Sequence, residues 1–389
     1  MVARRMTVQP SVLTWARESA NLNVTEAAHR INVSVSRIEQ WESGELDPTI
    51  NQLRKAADVY TRPLGALFLE TPIVNETRFD LPDFRRPEVE QQESPALRKA
   101  ILRARRQRDA IRDVVEDGAD LPVGSPNNFS LKRTDTTGDS GKALRAVLGL
   151  STLSARILSK PDDLFRSLVQ RVEQLGFLVI QVQHVSTSEM RGFSLAGDLM
   201  PIIAINGADW PRGKVFTLLH ELVHVAMRHS GLCDFSRDSS QPEERYCDEV
   251  AAEALMPGSL FRAAAAGVNP ARYGDLRAIG DQFGVSAEAV LIRLVHLRMA
   301  TWDDYAGMKS SFDGAYNKYK KDEKLARGDK DSPIYYQLKV RDLGRPFIAT
   351  VLRAHGNGLL SSRDVTQLLD VKYDNVPKLA ARLGGEALV

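Results

Sequence analysis

The sequence predicts an α+β chain: an all-α helix-turn-helix domain at the N-terminus, a small central sheet beside a buried helix, and a helical C-terminal region. Three observations lead there. Residues 23–45 alternate apolar-faced segments with turn residues. Gly176-Phe-Leu-Val-Ile-Gln-Val-Gln is a β-branched run. Phe216 to His229 repeats apolar residues with the helical period.

Length and composition narrow the class. At 389 residues the chain exceeds one ordinary core, so several domains are expected. Hydrophobic residues at 43% and charged residues at 26% fit a globular chain and exclude wholesale disorder, collagen or a coiled-coil rod. No apolar run approaches the ~20 residues of a membrane helix. Arg4 and Arg5 are not followed by an apolar stretch, which argues against a secretory leader. Two cysteines, Cys233 and Cys247, cannot build a disulfide framework or a four-cysteine zinc module. The expectation is a cytoplasmic protein with no membrane partner. The net charge of +2 neither requires nor excludes nucleic acid. Residues 1–70 balance eight basic against eight acidic side chains, whereas residues 85–112 hold nine basic against four acidic. An acidic partner would therefore meet its footprint in the second stretch.

The expected divisions are 1–71, a helix-turn-helix domain; 72–141, a linker with a basic helix; 142–265, the chemistry-bearing domain; and 266–389, a helical domain. In the first, Thr25 can cap a helix with Ala28 and Ile31 inward, and Asn32 tolerates the left-handed turn that follows. Ser34 can cap the next helix, with Val35, Ile38 and Trp41 inward, and Gly44 closes it. Asp47-Pro48-Thr49 starts a further helix bearing Ile50, Leu53, Ala57 and Tyr60. This stretch, down to Trp41-Glu42-Ser43-Gly44, resembles the phage-repressor-like (XRE-type) DNA-binding domain. The resemblance implies that Ser34, Ser36, Arg37 and Gln40 face the major groove, where the second helix reads base edges. The neutral charge favours the plainer alternative, a helical domain that packs on a protein, because phosphate neutralisation supplies most DNA affinity.

Pro72, Pro82 and Pro87 mark residues 72–93 as a linker or an arm. A basic helix from Pro95 to about Val115 is read first as a solvated face. Residues 118–141 read as a polar surface loop. A helix at Pro161–Leu175 then leads into the first strand, with two more expected at Gly192-Phe-Ser-Leu and Pro201-Ile-Ile-Ala-Ile-Asn. The last of these is a strand on which an extended substrate could pair.

Apolar residues 216, 219, 222, 223 and 226 place His220-Glu221-Leu222-Val223-His224 on a helix with a buried stripe. At 3.6 residues per turn, positions 220 and 224 share one face, so two imidazoles can converge on one metal ion. Glu221, about 100° round, leans over the water bound there. With seven histidines in the chain, chance supplies this pattern roughly once in a hundred sequences. A catalytic zinc takes three protein ligands and keeps one place for water. The metzincin continuation needs Gly and His where Met227 and Ser230 stand, and His229 falls off the metal-facing stripe. A carboxylate from the next helix remains. Glu244 and Asp248, four apart, share a face, so one can ligate while the other accepts a hydrogen bond from a ligand imidazole. Glu244 is preferred as ligand over Glu243 and Glu249. Cys247 is read as helix packing.

These residues, with Ala254-Leu-Met-Pro257 downstream and Gly192-Phe-Ser-Leu and Ile203-Ala-Ile-Asn206 upstream, are similar to the ImmA/IrrE family of zinc metallopeptidases. The family more often carries Asn where Asp248 stands. The resemblance implies a zincin-like central domain whose thermolysin-like site cleaves a specific repressor. It also implies an N-terminal DNA-binding domain, as many members have. On it, His220, His224 and Glu244 hold zinc, Glu221 is the catalytic base and Asp248 orients a ligand. The partners expected are a protein substrate, most simply a repressor in gene regulation or a stress response, and DNA. Repressor-like domains often dimerise, so a homodimer is one expected assembly.

Residues 268–389 carry no catalytic signature. Leu276 to Leu294 and, more weakly, Leu359 to Val376 repeat the helix, turn, cap, helix pattern and are read as hairpins packed on the central domain. Lys318–Asp331, dense in charge, is read as exposed, and a final helix is expected at Val376–Leu383. Two functional classes result: a zinc endopeptidase, or a DNA-binding regulator whose zinc domain senses a signal or mediates assembly without proteolysis.

Overall fold

The computed structural model describes residues 5–73, 93–229, 231–233, 242–328 and 335–383. The proline-rich arm expected at 72–93 and the end of the charged segment at 318–331 therefore lie largely outside the described residues. Among those described, no helix is long and apolar enough to cross a membrane.

The chain forms two compact units and passes from one to the other within a single helix, after Arg106. The first unit contains α1 (Pro10–Ser19), α2 (Val24–Ile31), α3 (Val35–Ser43), α4 (Ile50–Val59), a 3-10 turn (Leu64–Phe68) and the first half of α5 (Pro95–Glu116). Its core gathers Leu13, Ile31, Ile38, Trp41, Leu53 and Leu67. Asn32 and Gly44 adopt the left-handed conformation at the ends of α2 and α3, as the turn chemistry predicts. Two local expectations are corrected. Asn23, not Thr25, caps α2: its side chain accepts from Glu26 N while Glu26 answers to Asn23 N, so the helix starts earlier. Val35, expected inward, is 38% exposed: it is the first residue of α3, where the helix end leaves its side chain uncovered. Ser34 occupies the N-cap position of α3 without a side-chain capping bond. Arg17 of α1 grips the Glu42 carboxylate with two bonds, at 2.7 and 2.9 Å, in a largely buried pair that ties the end of α3 to α1.

The second unit contains α6 (Thr137–Val147), α7 (Ala155–Leu158), α8 (Pro161–Gln174), β1 (Leu178–Val182), β2 (Gly192–Leu195), β3 (Ile202–Asn206), α9 (Pro211–Ala226), β4 (Gly231–Cys233), α10 (Pro242–Leu255), α11 (Gly258–Ala264), α12 (Tyr273–Phe283), α13 (Ala287–His296), α14 (Trp302–Gly328), α15 (Tyr335–Leu343), α16 (Arg345–Gly356), α17 (Ser362–Leu369) and α18 (Val376–Ala380). Helix α6 occupies part of the expected 118–141 loop. Its glycines read as breakers, but Gly141 lies where a Cβ would come within 2.6 Å of the Glu253 Cβ, so the missing side chain lets α6 approach α10.

The sheet has the order β1-β3-β2-β4, with β1 parallel to β3 and β2 antiparallel to both of its neighbours. The three expected strands are present. β4, too short to show a period, pairs Phe193 with Leu232. β3 is central, paired on both edges, so a substrate cannot add to it as expected from sequence. Helix α9 packs on β2, β3, α8 and α10. It is consequently buried almost all round, and the apolar stripe understates its burial. One core runs from Phe129 through Leu168, Leu219, Val250 and Leu291 to Phe312, drawing on residues either side of position 265. The α12–α13 hairpin, with Gly284 in the left-handed region and Ser286 capping α13, contributes Leu276, Ile279 and Val290 to it. Near the C-terminus, Arg345 donates to the Leu383 carbonyl at 2.9 Å.

Glu173 of α8 is 5% exposed, and burial lifts its pKa to about 8 against the opposing charge and backbone N–H of Arg345. A raised carboxyl pKa means that the folded chain holds a proton that the unfolded chain releases above pH 4.5. Stability contributed by the neutral group is therefore lost as the pH rises from about 4.5 towards about 8. Glu173→Gln is expected to flatten this slope and to stabilise the second unit at pH 8.5 by on the order of 4 kcal/mol. Thermal unfolding of both proteins at pH 5.5 and 8.5 checks it; an equal difference at both pH values contradicts it.

Candidate functional site

Helix α9 delivers His220 and His224, one turn apart, into the interior beside the first turn of α10, which brings Glu244. All three are at most 2% exposed. The two imidazole Nε2 atoms are 3.1 Å apart. Glu244 Oε1 is 2.9 Å from His224 Nε2, and Oε2 is 3.3 Å from His220 Nε2. A tetrahedral ion with bonds of about 2.0–2.1 Å separates its ligand atoms by about 3.3 Å. The triangle of donors thus has the size and the chemistry of a site for a divalent metal such as zinc.

The flanking groups hold these donors in place. His220 Nδ1–H donates to Asp248 Oδ1 at 2.8 Å, which turns the Nε2 lone pair towards the cluster. Glu243, weighed as a ligand in the sequence, instead lies on the other side of His224: its Oε1 is 3.5 Å from His224 Nδ1 and 2.5 Å from Nδ1 of the exposed His229. α10 is anchored by Tyr246, which meets Ser140 at 2.7 Å and donates to the Lys132 carbonyl at 3.1 Å. Cys247 is fully buried among the core residues, as its packing role predicts. Asn206, at the end of β3, donates to the Val185 and Met190 carbonyls and so fixes the loop that leads into β2.

Glu221 is fully buried, and among the described residues neither carboxylate oxygen has a hydrogen-bond partner. It lies against Gly192 of β2. A Cβ there would stand 2.6 Å from Glu221 Oε1 and 2.7 Å from Thr217 Cγ2, so only glycine leaves room for the carboxylate. Sequence reasoning noted Gly192 without assigning this role, because the strand-to-helix contact is set by the sheet. The two central acids are driven apart. Burial raises the pKa of Glu221, with the nearby Glu244 adding to the rise; the charges of His220 and His224 and the Ser194 hydroxyl temper it. Burial also acts to raise Glu244, but hydrogen bonds from both histidines and their charge outweigh it and hold this acid at about 2. The Glu243 carboxyl is lowered by the neighbouring His224 and then by His229, against its partial burial. One carboxylate is thereby suited to remain an anionic ligand and the other to accept a proton.

In the first unit, Ser34 at the N-cap and Ser36 on α3 are exposed and Arg37 and Gln40 half-buried, with Ser36 and Gln40 on the side of the helix opposite the buried Ile38.

The metal reading predicts that purified chain takes up one divalent ion and that His220→Ala loses it, while Asp248→Ala weakens binding by about 10–100-fold. Elemental analysis and competition with a chelating dye measure both. Full occupancy in the His220→Ala protein contradicts the ligand assignment.

Residues 172–295 match the family model of the IrrE N-terminal-like domain, a peptidase family, and residues 13–67 match a helix-turn-helix family model. No curated protein matches the chain. Residues 172–295 are therefore similar to an IrrE-like peptidase domain, and residues 13–67 to a helix-turn-helix domain of the XRE type.

Proposed function

We propose that the protein is a zinc-dependent endopeptidase that cleaves a specific protein substrate, a transcriptional repressor, and that the helix-turn-helix domain couples the cleavage to gene control. The observation that carries this reading is the buried meeting of His220, His224 and Glu244 beside the Glu221 carboxylate, which has no hydrogen-bond partner among the described residues. His220, His224 and Glu244 would hold the metal, with Asp248 orienting His220. When bound, zinc supplies Lewis-acid polarisation of a carbonyl and lowers the pKa of water to about 7. Glu221, with its raised affinity for protons, takes one from the attacking water and passes it to the leaving amine. Gly192 keeps that carboxylate where it can do both. Ser34, Ser36, Arg37 and Gln40 serve DNA recognition.

Incubation of zinc-loaded chain with co-encoded repressors, scored for fragments, tests the reading. Glu221→Gln is expected to keep metal and DNA binding while cutting about 10²–10⁴-fold more slowly. If neither protein cuts a repressor and the variant regulates as the parent does, the zinc domain is a sensor or an assembly module and the peptidase reading fails. Gly192→Ala is expected to retain the metal and to lose at least tenfold in kcat with a smaller change in KM, since it moves the proton acceptor rather than the ligands. An unaltered kcat contradicts the positioning role.

A further inference from the structure

The second unit holds a cavity of about 1270 Å³ that shares no residue with the metal cluster. It lies at the carboxyl ends of β1 and β3, which run parallel. Gln181 of β1 and Gly207, Ala208 and Asp209 after β3 border it, and Lys214 comes from the first turn of α9. In sheets with parallel strands this crevice is where ligands bind. Helix α8 forms one side, and α14, α15 and residues 381–383 supply the other. The volume exceeds the roughly 300–1,000 Å³ of sites for drug-sized molecules, so a ligand of several groups fits.

Two kinds of wall face each other. Phe165, Val169 and Val179 are apolar, and with them stands Tyr319, whose ring is stacked on Trp210 with centroids 5.5 Å apart and planes 18° apart. An aromatic ring backed in this way is a rigid platform for a planar group. The remainder is cationic, with six basic side chains against three acidic. The acids offset little of this charge. Asp162 is exposed, so water and salt screen it. Asp209 accepts from the Trp210 N–H at 2.8 Å and lies 3.9 Å from Arg191, outside the cavity. Glu173, which opposes Arg345, is held in its neutral form up to about pH 8 by burial.

Of the cations, Arg166 and Arg341 have carboxylates beside them, Asp163 at 3.3 Å and Asp342 at 2.7 Å. Arg345 donates to the neutral Leu383 carbonyl at 2.9 Å. Lys320 lies over the Tyr316 ring, 4.8 Å from its centroid. Cations gathered about one cavity repel one another and focus a positive field into it. A ligand carrying several negative charges relieves that repulsion, and guanidinium forks match phosphate oxygens. A phosphate chain alone would leave the aromatic and apolar wall uncovered.

We infer that this cavity binds a nucleoside polyphosphate, its base against Tyr319 and its phosphates on Lys320, Arg345 and Arg382. The site is independent of the peptidase reading, since none of these residues belongs to the metal cluster.

Isothermal titration calorimetry of the zinc-loaded full-length chain at about 0.15 M salt tests it. The probes are ATP, GTP, UTP, AMP, adenosine and tripolyphosphate. At least one of the three nucleoside triphosphates is expected to bind at least tenfold more tightly than AMP, adenosine and tripolyphosphate. Tyr319→Leu is expected to weaken that triphosphate at least tenfold and to leave tripolyphosphate unaltered. Arg345→Gln is expected to weaken it at least tenfold as well. Should Arg345→Gln not fold, because Arg345 also holds Leu383, the double variant Lys320→Gln, Arg382→Gln changes two exposed residues and is expected to do the same. Tripolyphosphate or adenosine binding as tightly as every nucleoside triphosphate overturns the inference. So does the absence of triphosphate binding at about 1 mM, or binding that the cavity variants leave unaltered.

Discussion

Burying two imidazoles and two carboxylates in a packed core is unfavourable unless the groups satisfy one another or share an ion. His220, His224, Glu221 and Glu244 are all at most 2% exposed. A lone buried carboxylate would cost several kcal/mol and would neutralise itself by a pKa shift. Three of the four groups converge, and Asp248 and Glu243 brace the two imidazoles from behind. The fourth, Glu221, has no hydrogen-bond partner among the described residues and is pushed towards its neutral form. Such an arrangement stores poor solvation at one point, which is the usual condition of a group that works on protons. Much of the second unit serves it: α9 is wrapped by the sheet, α8 and α10, and the core on both sides holds the donors rigid.

The first unit is built on a different device. Its helices are short, and a short helix is marginal alone. Capping boxes at Asn23 and Thr49, left-handed ends at Asn32 and Gly44, and the Arg17–Glu42 pair supply the stability that length does not. With the interior bonded in this way, Ser36 and Gln40 on the outer face of α3 stand outside the core. The Trp41-Glu42-Ser43-Gly44 ending thus has a physical reason: Trp41 fills the core, Glu42 clamps Arg17 and Gly44 makes the turn.

Legibility in the sequence followed the range of the interaction. The i, i+4 pairs at 220/224 and 244/248, the left-handed stops at 32 and 44 and the β-branched strands are local, and each could be read from spacing. Capping was read less well, since Thr25 and Asn23 differ only in which residue starts the helix. Helix α6 was missed because its glycines are tolerated only by close packing on α10. β3 looked like an open strand because a sequence does not show which strands become edges.

What the sequence by itself determined is the chemistry: the donor types, their helical spacing, the acid beside them and the order of the two functional regions. Tertiary structure alone decided that Glu244 rather than Glu243 closes the triangle and that Gly192 makes room for Glu221. The reason is one of range. Spacing along a helix is set by backbone hydrogen bonds between near neighbours, whereas the meeting of α9 with β2 and α10 is set by how large apolar surfaces pack, and no local pattern encodes that.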